Sequence, residues 1–575
     1  MKSKTSFFNK GLFFSNIKRY GWVSCVWAAL MFLAVPMSML TFNMDAVYQF
    51  DDYMEFFMSR FGGILSNLML CGFPVLVGVL VFRYLHSPRS TTVLHGMPFS
   101  RPRLFTNGLL SGVALMLFPL LLNTAIVLII KMTMPVGQYL DYTTIFIWLL
   151  NSVCMAFIVF SLTVFVGMFT GNIMAHFVFT YIIHFLPIGL WMLFNNLFVV
   201  LVYGYHYITP PDWLTKFPMM CFMRNTIDCD AAYVIAGVIL LAFALLAYRK
   251  RPLENASDIV VFPVIRPIFK YGVTFCLAIT GYIYFCFIMG QAQSIVIALI
   301  FAVIGYAIAQ MLLQKTWRIW RSYKGMLVSL AVIFVFWGAI EFDVTGYEAR
   351  VPVVSDVESV TINGLDGIPA AEIELTQESD ITVLCGLHKK LADDRDNWDR
   401  KNQNEMENPT YLTLTYEMKN GSEMSRAYRF ERDDYNSEVA AIYGLPEVRR
   451  QGFPIIEKTA DDIDAVEVYV YGMSTPDAKS QDYRITDKTQ INDILNVLKV
   501  DVNEITAEEI MESVLTGGVM NLRFEMRPER SAPLPPEQSS YYMEQSSGIY
   551  SYDLTDAYTN TLRWLDTNVL AAEQQ

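Results

Sequence analysis

The chain has 575 residues and is 54% hydrophobic, with a net charge of −12. The charge is divided: residues 1–340 carry 22 Lys and Arg against 10 Asp and Glu, and the remainder carries 21 against 45. This excludes a single ordinary soluble domain and reads as a basic-looped membrane half followed by an acidic soluble half. The acidity argues against nucleic acid as a partner of the second half, and a well-solvated surface is enough to explain it.

In chain order, residues 1–20 are basic and aromatic (Lys10, Lys18, Arg19; Phe7, Phe8, Phe13, Phe14). They suit a cytoplasmic interfacial segment. The first apolar run is about twenty residues long and is followed by no small-x-small site, which predicts an uncleaved first helix. Runs long enough to cross a bilayer lie at Gly21–Leu40, Ile64–Phe82, Leu109–Ile130, Thr144–Phe169, Ile173–Tyr203, Ala231–Tyr248, Tyr271–Met289, Ser294–Leu313 and Met326–Ile340. The fold class expected is a membrane all-α region of about nine transmembrane helices, with an α+β domain after it.

With the N-terminus inside, Arg83, Arg89, Arg101, Arg103, then Arg249, Lys250, Arg251, Arg266, Lys270, then Lys315, Arg318, Arg321 and Lys324 fall in inner loops. The outer loops hold mainly acids, so the positive-inside bias holds. Nine crossings place residues 341–575 outside the cell. The last run is short, so eight or ten crossings stay open, and eight would put the acidic half inside. No acid falls inside a span. His176 and His184 in the fifth span suit hydrogen-bonded interior residues better than ligands. Pro187, with Asn195 and Asn196, predicts a break or kink near a cavity or gate in that over-long run. Cys221 and Cys229 share an outer loop in which a disulfide is possible, and no cysteine pattern suggests a metal.

Residues 341–575 alternate strand and helix patterns, with an internal repeat at an offset of 110. Ile381, Leu384 and Leu387 recur as Ile491, Ile494 and Val497 at helical spacing, and Leu412, Leu414 and Tyr416 recur as Leu522, Phe524 and Met526. Asp433, Tyr435, Val439 and Ile442 return as Asp556, Tyr558, Leu562 and Leu565, now at 123, after a Pro/Ser/Glu-rich insertion at 528–548. Asn420-Gly421 marks a hairpin turn. The expected domain is extracellular, with two related β-α-β-β-α units at 341–455 and 456–575. The acidic runs around Asp393-Asp394 and Asp461-Asp462 lack the spacing of a calcium loop and suit a solvated face.

The loop RYLHSPRSTTVLHGMPFSRPRLF (83–105) contains no acid. Its His86, Arg89, His95, Pro98, Ser100, Arg101 and Phe105 resemble an H-S-L-P-x-S-R-x-x-L-F run of permease subunits in bacterial ABC transporters of the ABC-2 type; Gly96 and Met97 stand where Ser and Leu are usual. A second run, Arg251 to Ser257, resembles R-x-x-E-x-A-G through Arg251, Glu254 and Ala256, with Ser257 in place of Gly. The resemblance covers about residues 1–270 and makes 21–270 a six-helix permease core, followed by three further helices at 271–340. It implies a non-catalytic subunit of an exporter in a bacterial plasma membrane. A separate ABC ATPase holds ATP and magnesium and docks on loop 83–105, and a second permease copy or sister permease completes the pair. The cargo implied is amphipathic. Similar chains from Gram-positive bacteria also end in a soluble outer domain. The chain itself lacks G-x-x-x-x-G-K-[ST], H-E-x-x-H and G-x-S-x-G. The alternative from another class is an ABC-linked sensor or resistance module, in which the outer domain binds a ligand without bulk transport.

Overall fold

The computed structural model describes residues 8–41, 63–220, 231–252, 254–289, 291–319, 322–370, 372–395, 406, 408–470, 481–516, 519–527 and 549–570. The chain divides into two compact units. The first holds residues up to Asn195 with Thr209–Val335; the second holds Asn196–Ile208 with the chain from Phe336 onward.

The helical unit is built from α1 (Lys10–Ala34), α2 (Ile64–Val81), α3 (Pro88–Gly96), α4 (Arg101–Thr133), α5 (Tyr142–Phe169), α6 (Ile173–Leu201), α7 (Ala231–Lys250), α8 (Ile265–Met289), α9 (Gln291–Gln314) and α10 (Tyr323–Glu341). Among the described residues, nine helices are long and apolar enough to cross a membrane, as the sequence predicts. Several boundaries differ from expectation, two of them by eight residues or more. Helix α1 runs unbroken from Lys10, capped by the Asn9 side chain, which accepts from Leu12 N at 3.1 Å. Residues 10–20 therefore belong to the first span's own helix and not to a separate interfacial segment. Helix α4 starts at Arg101, eight residues before the apolar run.

Close helix approach depends on small residues, because lipid gives apolar side chains no net drive to associate. A Cβ on Gly112 of α4 would stand 2.4 Å from the Phe160 ring of α5, and one on Gly78 of α2 would stand 2.7 Å from Thr163. Asn123 of α4 donates to Ala28 O of α1 at 3.1 Å, and Trp27 stacks on Phe73 at 5.4 Å. Interhelical hydrogen bonds of this kind contribute about 0.6 kcal/mol each in a membrane. Helices α8 and α9 pair closely, and with α10 they enclose a small cluster of Ala278, Ala302 and Ile333.

The second unit contains two four-stranded antiparallel sheets. Strands β1 (Val357–Asn363), β2 (Glu372–Leu375), β3 (Pro409–Met418) and β4 (Glu423–Glu431) form one in the order β2-β1-β3-β4. Strands β5 (Ile463–Val470), β6 (Gln481–Ile485), β7 (Met520–Met526) and β8 (Ile549–Leu554) form the other in the order β6-β5-β7-β8. Helices α11 (Glu378–Asp393), α12 (Asn436–Tyr443) and α13 (Pro446–Gly452) accompany the first sheet. Helices α14 (Lys488–Glu504), α15 (Ala507–Thr516) and α16 (Thr559–Leu565) accompany the second. One continuous core includes residues of both sheets.

The repeat is present with two corrections. Each copy opens with an additional strand, β1 or β5, so the unit is β-β-α-β-β-α. The single offset of 110 also fails for the third strand. A bulge between Val357 and Ser359 opposes Met418 and Glu417, and its twin between Ile463 and Ala465 opposes Met526 and Glu525. Tyr416 therefore corresponds to Phe524, and Leu414 to Leu522, at an offset of 108. Side chains alternate with period two, so apolar matching alone cannot separate offsets differing by two; the bulge fixes the register. The Asn420-Gly421 turn is present, with Gly421 at φ +78 and Met418 N bonded to Ser422 O at 2.9 Å. Asp487 caps α14, accepting from Thr489 N and Gln490 N. The acidic runs have protein partners: Asp394 accepts from Tyr435, Asp462 completes a capping box with Thr459, and Asp464 pairs with Arg527. The insertion 528–548, Cys221 and Cys229 lie outside the described residues.

Candidate functional site

The loop 83–105 folds into a tight 3-10 turn (Arg83–His86), the short helix α3, and the start of α4. Pro88 fits the first turn of α3, where a missing N–H costs nothing. The helix ends at Gly96, ahead of Pro98, and α4 begins after Ser100 with Pro102 in its first turn. The Ser100 hydroxyl makes no capping hydrogen bond.

Helix α3 has two faces. Thr91 and His95 point inward. Thr91 Oγ1 donates to Tyr84 O at 2.7 Å, His95 Nδ1 lies 2.8 Å from Thr91 O, and His95 Nε2 lies 2.8 Å from the Tyr248 hydroxyl. A carbonyl only accepts, so Nδ1 carries the proton and Nε2 accepts from Tyr248. Tyr84 in turn donates to Tyr248 at 3.2 Å. Burial lowers the His95 pKa against the opposing pull of the Thr91 carbonyl, consistent with a neutral ring. Arg89, Val93, Met97 and Pro98 are exposed on the other side.

Two arginines bind this loop to the ends of spans. Arg251 is 2% exposed, and its guanidinium donates to Gly167 O (2.7 Å), Met168 O (2.8 Å), Thr170 O (2.7 Å) and Leu85 O (3.0 Å). Three of those carbonyls end α5, where helix geometry leaves acceptors unpaired and the dipole favours a cation. Burial lowers the Arg251 pKa to about 10, with Tyr84 and Tyr248 opposing the shift, so the group stays charged at neutral pH. Arg101 caps α7 in the same manner, donating to Tyr248 O, Arg249 O and Arg251 O at 3.1, 2.8 and 3.1 Å.

The other residues of the motif divide by depth. Phe105 is buried against Phe82 and Tyr248. His86 is also buried, stacked on His176 of α6 at 4.8 Å, and burial, then His176 and Arg251, hold its pKa well below the ordinary histidine value. His86 and Phe105 are therefore internal supports, while Arg89, Pro98 and Ser100 stand at the surface.

The second motif forms a latch. Gly171 N donates to Asp258 O at 2.8 Å, Ser257 N donates to Gly171 O at 2.7 Å, and Val261 N donates to Phe169 O at 2.9 Å. Asp258 pairs with Arg266 at 3.2 Å and Lys315 at 2.7 Å. Ser257, standing where the resembling pattern has Gly, has φ +85. That conformation costs a residue with a side chain but not glycine. Glu254 is exposed beside the latch. Sequence reasoning missed Asp258 and Tyr248. An acid inside a basic loop signals the first; the second is a tyrosine closing an apolar run, for which the sequence carries no comparable mark.

Of the break or kink expected in the fifth span, the break is absent: α6 is one helix through Pro187 to Leu201. Asn195 is buried and donates to Trp191 O at 3.3 Å, and Asn196 is exposed.

Comparison with known proteins gives one match. A family described as a domain of unknown function (DUF6449) matches residues 416–568, which span the end of β3, β4 and the whole second sheet with its helices. No curated protein and no solved structure matches the chain.

Proposed function

We propose that this chain is the membrane-spanning permease subunit of an ATP-driven ABC exporter of the ABC-2 type, moved by an ATPase on a separate chain. The observation that carries the reading is the two-faced helix α3. Its inward face is hydrogen-bonded to the turn before it and to Tyr248 of α7. Arg251 and Arg101 tie the segments flanking it to the ends of α5 and α7. Its outward face presents Arg89, Val93, Met97 and Pro98, an apolar ridge with a cation at one end, as suits insertion in a partner's cleft. A push on that ridge reaches two spans directly, and the spans then switch between inward and outward access. ATP and magnesium belong to the partner, and a second permease copy or sister permease completes the pair.

Parity supports the orientation. The chain passes from the helical unit into the second unit at the ends of both α6 and α10. Four crossings separate those ends, an even number, so both emerge on the same face. With basic loops inside, that face is the outside of a bacterial plasma membrane, and the second unit is extracellular.

The test is the triple variant Arg89→Glu, Val93→Asp, Met97→Asp, expressed with an ABC ATPase from the same genome. It should insert and melt like wild type yet retain less than about a tenth of the ATPase in a pull-down, the loss expected when a docking anchor is removed. Wild-type retention with intact transport would sink the docking role. ATP turnover without movement of any labelled lipid or peptide would replace export by sensing.

A further inference from the structure

Helix α6 has 29 residues in one unbroken run, about 43 Å at the usual rise. Its first turns lie beside the loop described above. His176 is 0% exposed, stacks on His86 at 4.8 Å and bonds Thr163 O at 2.7 Å. The contact is close because Gly167 has no side chain: a Cβ there would stand 2.6 Å from the imidazole.

The far end of α6 and the residues after it belong to the second unit. Tyr203 N donates to the buried Glu348 carboxylate at 2.9 Å, Ala427 N donates to Gly204 O at 3.3 Å, and Tyr205 forms an antiparallel bridge with Arg426 of β4. Residues 203–205 thus act as a stub strand on the β4 edge. Gly204 has φ +71, and a Cβ there would stand 2.8 Å from the Tyr428 hydroxyl. Tyr203 packs edge-on against Tyr428 at 5.2 Å, and Tyr428 lies 5.5 Å from the buried His388 ring in the core of the first sheet. A tether would need none of these contacts, and Glu348, paired with Arg395 at 2.7 Å, is a fixed acceptor for Tyr203 N.

We infer that α6 is the mechanical link through which movement of the 83–105 loop drives the extracellular unit, making that unit a moving part of the transport cycle. The inference rests on the permease reading and adds to it. One helix is held at its start against the turn that the ATPase would push, and at its end within the sheet that would respond.

The experiment is hydrogen exchange on the full complex in nanodiscs, with and without Mg-ATP, in wild type and in Gly204→Val. In wild type, nucleotide should change exchange both at 88–97 and at 423–431, the latter by about fivefold, the scale of one hydrogen bond. In Gly204→Val the response at 88–97 should persist and that at 423–431 should vanish. A nucleotide response at 88–97 with none at 423–431 in wild type overturns the inference and leaves the permease reading intact. No response at either segment overturns both. The wild-type arm decides the matter even if the variant folds poorly.

Discussion

Arg251 and Arg432 are both buried arginines that join separate elements, and they are satisfied in opposite ways. Arg251, in the helical unit, meets four backbone carbonyls. Arg432, in the second unit, pairs with Asp366 at 2.7 Å and also donates to Thr410 Oγ1 and Met511 O. The helical unit has unpaired carbonyls wherever a helix stops, so a cation at the membrane face can be held by backbone alone. A sheet uses up its carbonyls in the ladder, so beside one helix carbonyl, Met511 O, the second unit supplies a carboxylate and a hydroxyl. The first arrangement fixes positions of helix ends; the second closes a seam between the two repeat copies.

The largest effect should follow loss of Arg251. Arg251→Met strands four acceptors and releases the 83–86 turn from α5, with an expected destabilisation of about 3–5 kcal/mol. Thermal unfolding in detergent should show it, together with loss of ATPase pull-down. Arg251→Lys, a point charge without the planar fork, should recover only part. Near-wild-type melting of Arg251→Met would mean the carbonyl cluster is hydrated and the comparison is empty.

Arg432→Met should cost less, about 2–3 kcal/mol, because the Asp366 side chain is 36% exposed and water can take over part of the loss. The change should appear as faster exchange in β3 and β4 with no change at 88–97. An effect spread equally over both units would contradict the separation.

A pair of histidines sharpens the same contrast. His95 and His388 each bond a tyrosine hydroxyl. Burial, with Arg426 next, holds His388 down at about 4, against an ordinary value of about 6.5. The folded state therefore resists the proton that the unfolded chain accepts. The associated stability is present above about pH 6.5 and is lost as pH falls toward 4, amounting to about 2 kcal/mol by pH 5. Exchange at 409–431, corrected for intrinsic rates, should accelerate over that window in wild type and much less in His388→Phe.

The spans were legible because about twenty apolar residues in a row are a bilayer's own signature. The two faces of α3 were not, since composition marks Arg89 and Arg101 alike as basic loop residues. Only packing shows that one is exposed and the other caps α7. The repeat was legible through helix spacing and strand alternation, but β1 and the shift from 110 to 108 were not. Period-two patterns repeat on themselves, and a bulge is a backbone event without a side-chain mark. Pro187 does not break the helix because a proline in a membrane helix frees one carbonyl that neighbouring groups can satisfy, and the helix continues.

The smallest effect should come from Ser257, and it bears directly on the second motif. Its φ of +85 is held by the exchange of hydrogen bonds between Gly171 and residues 257–258. The resembling pattern has glycine at this position, and the latch geometry supplies a physical reason for it. Ser257→Gly relieves the left-handed strain but also loosens the unfolded chain. The two oppose, and relief of strain at a non-glycine residue is the larger, leaving about 0.5–1 kcal/mol of net stabilisation. The melting temperature should rise slightly while ATPase pull-down stays unchanged. Ser257→Val should move the other way, since a β-branched residue tolerates positive φ least. A Gly variant that melts lower than wild type would show that the serine hydroxyl has a role beyond the backbone, and the latch would need a different account.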